Sequence, residues 1–259
     1  MQAHCLIREA PWYRRDVFVG GLKLAGHSVA TTAPQHPTKD TLLVIWNRYN
    51  EWHQHALRVE AAGGVVLVAE NGYIGKGGTA PKFDVHPHGP KPDHYYALAR
   101  GWHNGGGTWH VGHEDRWTRL GIELKPWRTE GDYILVCPNR SFGVPGRMMD
   151  FRWADDVAAR LRKITTLPVR IRAHPGNDAP KRPLEEDLKG AQTVVVWSSS
   201  CGVHALVEGI PVVCEAPYWI CKGVDATDET RRAALHALAW AQWTCEEIAS
   251  GEPFKVLLK

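Results

Sequence analysis

The twenty residues VVVWSSSCGVHALVEGIPVV, Val194 to Val213, decide the fold. Thr193 to Trp197 is a short unbroken apolar run, the pattern of a strand buried on both faces. Three small hydroxyl residues, Ser198, Ser199 and Ser200, follow at once. Cys201 to Glu208 then carries apolar residues at helical spacing, and Pro211 to Glu215 gives a second buried strand. A strand, a helix and a strand in so short a span form a parallel βαβ unit.

Working outward, the same alternation continues on both sides. Upstream lie a strand at Tyr133 to Cys137, a loop from Pro138 to Gly146, an amphipathic helix at Trp153 to Ile164, a strand at Val169 to Ala173 and a short helix at Pro183 to Lys189. Downstream, Asp228 to Ser250 reads as one long helix or two, with Asp228 as N-cap. The first half repeats the theme with a helix at Asp16 to Ala25, a strand at Thr41 to Trp46, a helix at Glu51 to Ala62 and a strand at Val65 to Ala69. From Gly75 to Gly107 the chain is rich in Gly, Pro and His, with a helical turn expected at His94 to Arg100. The expected fold is therefore α/β: two Rossmann-like, doubly wound parallel-sheet lobes with a C-terminal helix packing across them. The polar stretch Lys125 to Gly131 marks the boundary, giving lobes at 1–128 and 129–259.

With 259 residues, 44% of them hydrophobic and 23% charged, the chain has material for a packed core without staples. Its net charge of +3 suits anionic ligands but falls short of a dedicated nucleic-acid-binding domain. The six cysteines are scattered with no C-x-x-C pair, which points to free thiols in a reducing compartment. No signal peptide or membrane-length apolar run is read, so a cytoplasmic protein without membrane insertion is expected.

Free N–H groups where a helix follows Ser200 would attract a phosphate, the serine hydroxyls would add donors, and Gly202 would let a ligand approach. An ordinary N-cap accounts for only one of the three serines. Arg172 and His174 sit at the carboxyl end of the Val169 strand, where a guanidinium and an imidazole would neutralise a pyrophosphate or nucleoside monophosphate. Asn139, Arg140, Ser141 and Gly143 offer a third loop able to cradle phosphate or base. In the first half, Glu70 at a strand end is the candidate general base, with an Asn-Gly turn as the competing reading. Asn47, Asn71, Tyr73 and His103 are candidates on the same acceptor side, and His36 is a further base candidate.

His86, His88, His94, His103, His110 and His113, with Asp84, Asp93 and Glu114, gather in one irregular segment. They match neither H-E-x-x-H nor a finger spacing, so no metal and no cofactor are assigned. Cys201 begins a helix with His204 one turn on, a weak nucleophile-and-base pattern beside the simpler reading of a small residue at a phosphate site. The run Arg231 to Trp243 reads as a packing helix.

On these residues the second half resembles the donor-binding lobe of GT-B glycosyltransferases: a Gly-containing loop after the first strand, Arg-x-His-Pro ending at Pro175, and Ser-Ser-Ser with Gly-x-x-Ala-Leu-x-x-Gly-Ile-Pro-Val. The pairing of His-Pro with a serine cluster is most similar to capsule-type sugar transferases, including those that use CMP-activated sugars. The resemblance implies that His174 and Ser198, Ser199 and Ser200 contact the donor phosphate. Glu208 and Glu215 stand one position too close for the Glu-x7-Glu signature of many retaining members. With Glu70-Asn-Gly-Tyr, His103-Asn-Gly and Ala239-Trp-Ala-Gln-Trp243, the whole chain also resembles small phage-encoded proteins labelled glycosyltransferases. The implied activity is transfer of a sugar from a UDP- or CMP-linked donor to a hydroxyl acceptor. If the phage likeness holds, hydroxymethylated pyrimidine in phage DNA is an attractive acceptor, in the host cytoplasm. A nucleotide-sugar 2-epimerase and a non-catalytic nucleotide-binding or scaffold protein are the alternatives on the same fold.

Overall fold

A computed structural model of the chain describes residues 1–10, 13–75, 95–174 and 182–259. In chain order the strands and helices are β1 (Gln2–Cys5), α1 (Arg15–Leu24), β2 (Ser28–Ala30), β3 (Thr41–Trp46), α2 (Asn50–Ala61), β4 (Val65–Asn71), β5 (Tyr95–Arg100) and α3 (Asp115–Arg119). Then follow β6 (Tyr133–Cys137), α4 (Trp153–Leu161), β7 (Val169–Ile171), α5 (Leu184–Leu188), β8 (Ala191–Val196), α6 (Cys201–Val207) and β9 (Val212–Cys214). The tail comprises α7 (Asp228–Ala239), β10 (Gln242–Thr244), α8 (Cys245–Ser250) and α9 (Glu252–Leu257). The chain divides into two compact units: unit 1 is Met1–Leu120 with His236–Lys259, and unit 2 is Gly121–Leu235.

Unit 1 is built on a six-stranded sheet in the order β10-β5-β4-β3-β1-β2. The runs TLLVIW and VVLVA are strands because every second side chain finds a core on one face and its neighbour finds one on the other. Leu42, Val44, Leu67 and Ala69 pack with Phe18 and Leu22 of α1 and with Ile248 and Phe254 of the tail. Leu43, Ile45, Val66 and Val68 pack with Ala56 and Val59 of α2. Burying each such side chain contributes about 1.5–3 kcal/mol, enough to override the modest helical tendency of the leucines.

The sheet is not uniformly parallel, as the sequence suggested. β2, β1, β3 and β4 run parallel, whereas β5 is antiparallel to β4 and β10 antiparallel to β5. Of the expected helical turn at 94–100, the described residues 95–100 form strand β5, whose paired tyrosines and buried Ala97-Leu98-Ala99 suit a pleated surface better than a helix.

The tail departs from the expected helices as well. α7 stops at Ala239, and the chain straightens into β10 on the open edge of β5. Arg116, 5% exposed, holds it there by donating from Nε to the Ala239 carbonyl (2.6 Å) and from a terminal nitrogen to the Gln242 carbonyl (2.7 Å). The same guanidinium forms a bidentate pair with Glu247 (2.7 and 2.8 Å) and lies 4.2 Å from the Trp243 ring centroid. Glu247 in turn closes a capping box with Thr244 at the start of α8.

Residues 236–259 therefore belong with unit 1, although the sequence reading placed them in a second lobe at 129–259. Residues 121–128 move the other way. Lys125 N–H donates to Val207, and Arg128 donates to the carbonyls of Leu188, Lys189 and Ala191, all in unit 2.

Unit 2 has a four-stranded, wholly parallel sheet in the order β7-β6-β8-β9. Its core joins Ile134, Val136 and Val195 to Met149, Trp153 and Val157. The first strand of each unit has its second on one side and its third on the other, the same order in both. That reversal opens a crevice beyond the carboxyl ends of the first and third strands, where ligands of open α/β sheets settle.

Candidate functional site

In unit 2 the crevice lies between the loop after β6 and the loop after β8. Asn139 and Ser198 clasp across it. The Asn139 side-chain amide donates to Ser198 Oγ (3.2 Å), and the Ser198 N–H donates back to Asn139 Oδ1 (3.1 Å). This fixes Arg140 at the rim, its guanidinium 4.8 Å from the exposed Phe142 ring. Arg140 Nε is buried and has no hydrogen-bond partner among the described residues. A buried donor with no acceptor is costly, so a bound oxyanion would relieve it. Ser141 is half-buried beside it.

Arg172 and His174 follow β7 as expected, but they are not equivalent. Arg172 donates to the Asp187 carboxylate and to the Arg182 carbonyl (2.6 Å), so much of its charge is already neutralised. Asp187 is the residue that sequence reading missed, because it arrives from α5. Burial, then the charges of Arg140 and Arg172, press the His174 imidazole down to about 4. It is neutral at pH 7 and able to donate from one ring nitrogen.

The three serines take different roles. Ser198 belongs to the clasp. Ser199, 9% exposed, accepts from the Cys201 N–H (3.3 Å) and caps the turn. Ser200 is exposed and makes no side-chain cap. α6 has only 7 residues, so side chains rather than a helix dipole must carry any anion binding.

Gly202 has a packing role. A Cβ there would stand 2.6 Å from Trp219 Cζ2 and 3.2 Å from Val212 Cγ1. The glycine makes room for Trp219. Cys201 has Cys137 and Ser199 as hydrogen-bond neighbours rather than His204, and these pull its thiol down while Cys137 is pushed up. Glu215 is fully engaged, accepting from Trp153 Nε1 (2.9 Å) and pairing with Arg160 (2.5 Å).

Unit 1 holds the second cluster, at the ends of β3 and β4. Burial pushes the Glu70 carboxyl up to about 7, against hydrogen bonds from the Asn71 N–H (2.9 Å) and the Asn47 side chain. Asn47 adopts a left-handed backbone (φ 61°) and its N–H donates to Ala69 (2.9 Å), which turns its amide toward β4. Its Oδ1 is buried without a hydrogen-bond partner among the described residues. A carboxyl poised near neutrality beside an unfilled acceptor is equipped to receive a hydroxyl group.

Asn71 and Tyr73 continue from Glu70, and Gln242 fixes their course. Gln242 is fully buried, accepts from the N–H groups of Tyr73 (2.8 Å) and Ile74 (3.1 Å), and donates to the Ile74 carbonyl. Nothing in the sequence signals this role, since Gln242 meets the loop only through the pairing of β10.

His103 does not join the group. β5 places Ala97 opposite Glu70 and Arg100 opposite Leu67, so the chain leaving β5 moves away from the carboxylate. His103 stacks on Trp102 instead (centroids 5.6 Å apart), and Trp102 covers the guanidinium of Arg48 at 4.9 Å. His86, His88, His94, Asp84, Asp93 and Pro175 lie outside the described residues. Among the described residues no group of three or more His, Cys, Asp or Glu side chains is placed to hold a metal, and no helix is long and apolar enough to cross a membrane.

No family model matches the chain, and no curated protein does. Solved structures do. The chain is similar over 100% of its length, and 99% of the other's, to the β-Kdo 2,7 transferase of KpsC from Thermosulfurimonas dismutans, with a TM-score of 0.59 and 14% identity. It is also similar to the β-Kdo 2,4 transferase of KpsC from the same organism, with a TM-score of 0.56, 14% identity, and coverage of 93% and 90% of the two chains. The shared feature is the fold, α/β with Rossmann-like parallel sheets.

Proposed function

We propose that the chain transfers a sugar from a nucleotide-linked donor to a hydroxyl acceptor. The observation that carries this reading is the Asn139–Ser198 clasp at the crevice of unit 2, with the buried Arg140 Nε next to it in sequence and a His174 imidazole that feels the Arg140 charge. The donor diphosphate or monophosphate would lie there. The acceptor oxygen would attack the anomeric carbon as the carbon–oxygen bond to phosphate breaks, and the electron pair would pass to the phosphate. Fixed donors at the developing charge, the Arg140 guanidinium and the neutral His174 N–H, would stabilise it. Glu70 would take the proton from the acceptor hydroxyl, with the Asn47 side chain holding its carboxylate by a hydrogen bond.

The full-length likeness to two Kdo transferases supports a transferase and puts CMP-linked Kdo first among donors to test, with UDP-sugars next. The epimerase reading is less well supported, because two carboxylates described in unit 2 are already engaged. Asp187 is spent on Arg172, and Glu215 on Trp153 and Arg160.

Calorimetric titration with CMP, UDP and GDP tests the reading. Binding of one nucleotide, weakened at least tenfold by Arg140→Ala and by His174→Ala, is expected. Absence of binding to all three would remove the donor site and the transferase with it.

A further inference from the structure

Two sulfurs that the proposed transfer does not use stand beside the Asn139–Ser198 clasp in the chain. Cys137 is the last residue of β6 and is 1% exposed, while Cys201 opens α6 and is half-buried. β6 and β8 are parallel neighbours with Cys137 opposite Val196, and the chain turns through Ser198 to Ser200 before α6 begins. The two thiols meet there, the Cys137 S–H donating to the Cys201 sulfur. A disulfide needs sulfurs about 2.05 Å apart on Cβ atoms about 3.8 Å apart. Side chains already in hydrogen-bond contact reach that geometry by a small shift of the first turn of α6.

Their surroundings make the two sulfurs unequal. The Cys137 hydrogen bond, opposed by burial and joined by the Ser199 hydroxyl and the Arg172 charge, holds the Cys201 thiol below its ordinary range. The same bond, and then burial, push Cys137 up. A thiolate is the form that attacks a peroxide, and a resolving thiol alongside turns the product into a disulfide. The remaining cysteines are placed differently. Burial pushes Cys5, Cys214, Cys221 and Cys245 up, and Cys214 donates to the Trp197 carbonyl (3.0 Å).

We propose that Cys137 and Cys201 are a redox pair at the crevice of unit 2: hydrogen peroxide oxidises Cys201, and Cys137 closes an intramolecular disulfide. In the first step the Cys201 thiolate attacks one peroxide oxygen, the O–O bond breaks and hydroxide leaves, giving a sulfenic acid. In the second, the Cys137 sulfur attacks the sulfenic sulfur and its S–H proton goes to the departing hydroxide, which leaves as water. The sulfurs together lose two electrons, the peroxide gains them, and excess dithiol reverses the change by exchange. The bond joins the same two loops as Asn139 and Ser198, and it draws the start of α6, with Ser199 and Ser200, toward β6. Its effect on nucleotide affinity rests on the transferase reading; the bond itself does not.

Hydrogen peroxide added to the reduced full chain, followed by intact-mass measurement and non-reducing peptide mapping, tests the pair. The expected result is loss of two hydrogens and a cross-linked peptide joining Cys137 to Cys201, both undone by dithiothreitol. Cys201→Ser should abolish the bridge, and Cys137→Ala should leave a sulfenic acid at Cys201 that dimedone captures. Cys214→Ser should bridge like the wild-type chain. No bridge in the wild-type chain, a bridge between other cysteines, or dimedone capture elsewhere than Cys201 would overturn the proposal. Calorimetry with the nucleotide that the reduced protein binds should show at least threefold weaker affinity after oxidation, and unchanged affinity would remove the pair's hold on the crevice. Failure of every nucleotide to bind the reduced protein would count against the donor site alone, because the peptide map decides the bridge by itself.

Discussion

Asn139 and Ser198 hold one another through two hydrogen bonds, amide to hydroxyl and main chain to amide, across the carboxyl ends of β6 and β8. Two loops distant in sequence thereby become one surface. Asn139→Ala removes both bonds at a partly buried site, at a cost of about 1–3 kcal/mol in denaturant unfolding. Ser198→Ala removes one. The double variant should lose less than the sum, because the two residues share a bond. Strict additivity would show that the clasp does not form in solution.

Glu70 should make stability depend on pH in an unusual direction. Its carboxyl is raised to about 7 from an unfolded value near 4.5, so between those limits the folded state holds the proton more tightly. The contribution is fully present below pH 4.5 and lost as pH rises through 7, by roughly 3 kcal/mol at most. Glu70→Gln should flatten that slope in unfolding curves collected from pH 4 to 8. Transfer activity should rise with an apparent pKa close to 7 and be nearly abolished in the same variant. A Glu70→Gln protein with wild-type turnover would rule out the base.

His174 is depressed to about 4, so its effect on stability has the opposite sign: present above pH 6.5 and lost as the pH falls toward 4. An anion bound beside it would favour the imidazolium. Nucleotide binding near pH 5.5 should then be accompanied by proton uptake, visible as a dependence of the calorimetric heat on the ionisation enthalpy of the buffer. His174→Gln should abolish that dependence. Buffer-independent heats in the wild-type protein would place the phosphate elsewhere.

Gly202→Ala separates packing from ligand approach. The added methyl would press on Trp219, a clash worth about 1–3 kcal/mol, seen as a lower melting temperature. Nucleotide affinity should change less than threefold. A tenfold loss of affinity at unchanged melting temperature would show that this glycine serves the ligand rather than the packing.

How much of this was legible in the sequence varies from element to element. Thr41 to Trp46 and Tyr133 to Cys137 are strands residue for residue, because an unbroken apolar run bounded by polar residues admits little else. β2 and β10 are three residues each and escape such a reading. Gln242 looks like a polar interruption of a helix, and only its bonds to Tyr73 and Ile74 explain its burial. The same holds for charge. Arg172 at a strand end was visible as a cation, while Asp187, which neutralises it, comes from a helix that the pattern could not place beside it. Single-strand signals are local; partners are not.

The division of unit 1 into two stretches of chain has a consequence for its biosynthesis. A ribosome completes residues 1–120 and then all of 121–235 before it makes the residues that pair with β5. Until then the nascent sheet carries a bare edge at Tyr95 to Leu98, and the loop beyond Glu70 lacks the glutamine that shapes it. An open β edge invites pairing with another chain. Protection of that edge during translation, rather than the rate at which unit 2 folds, should govern how much of the protein escapes aggregation.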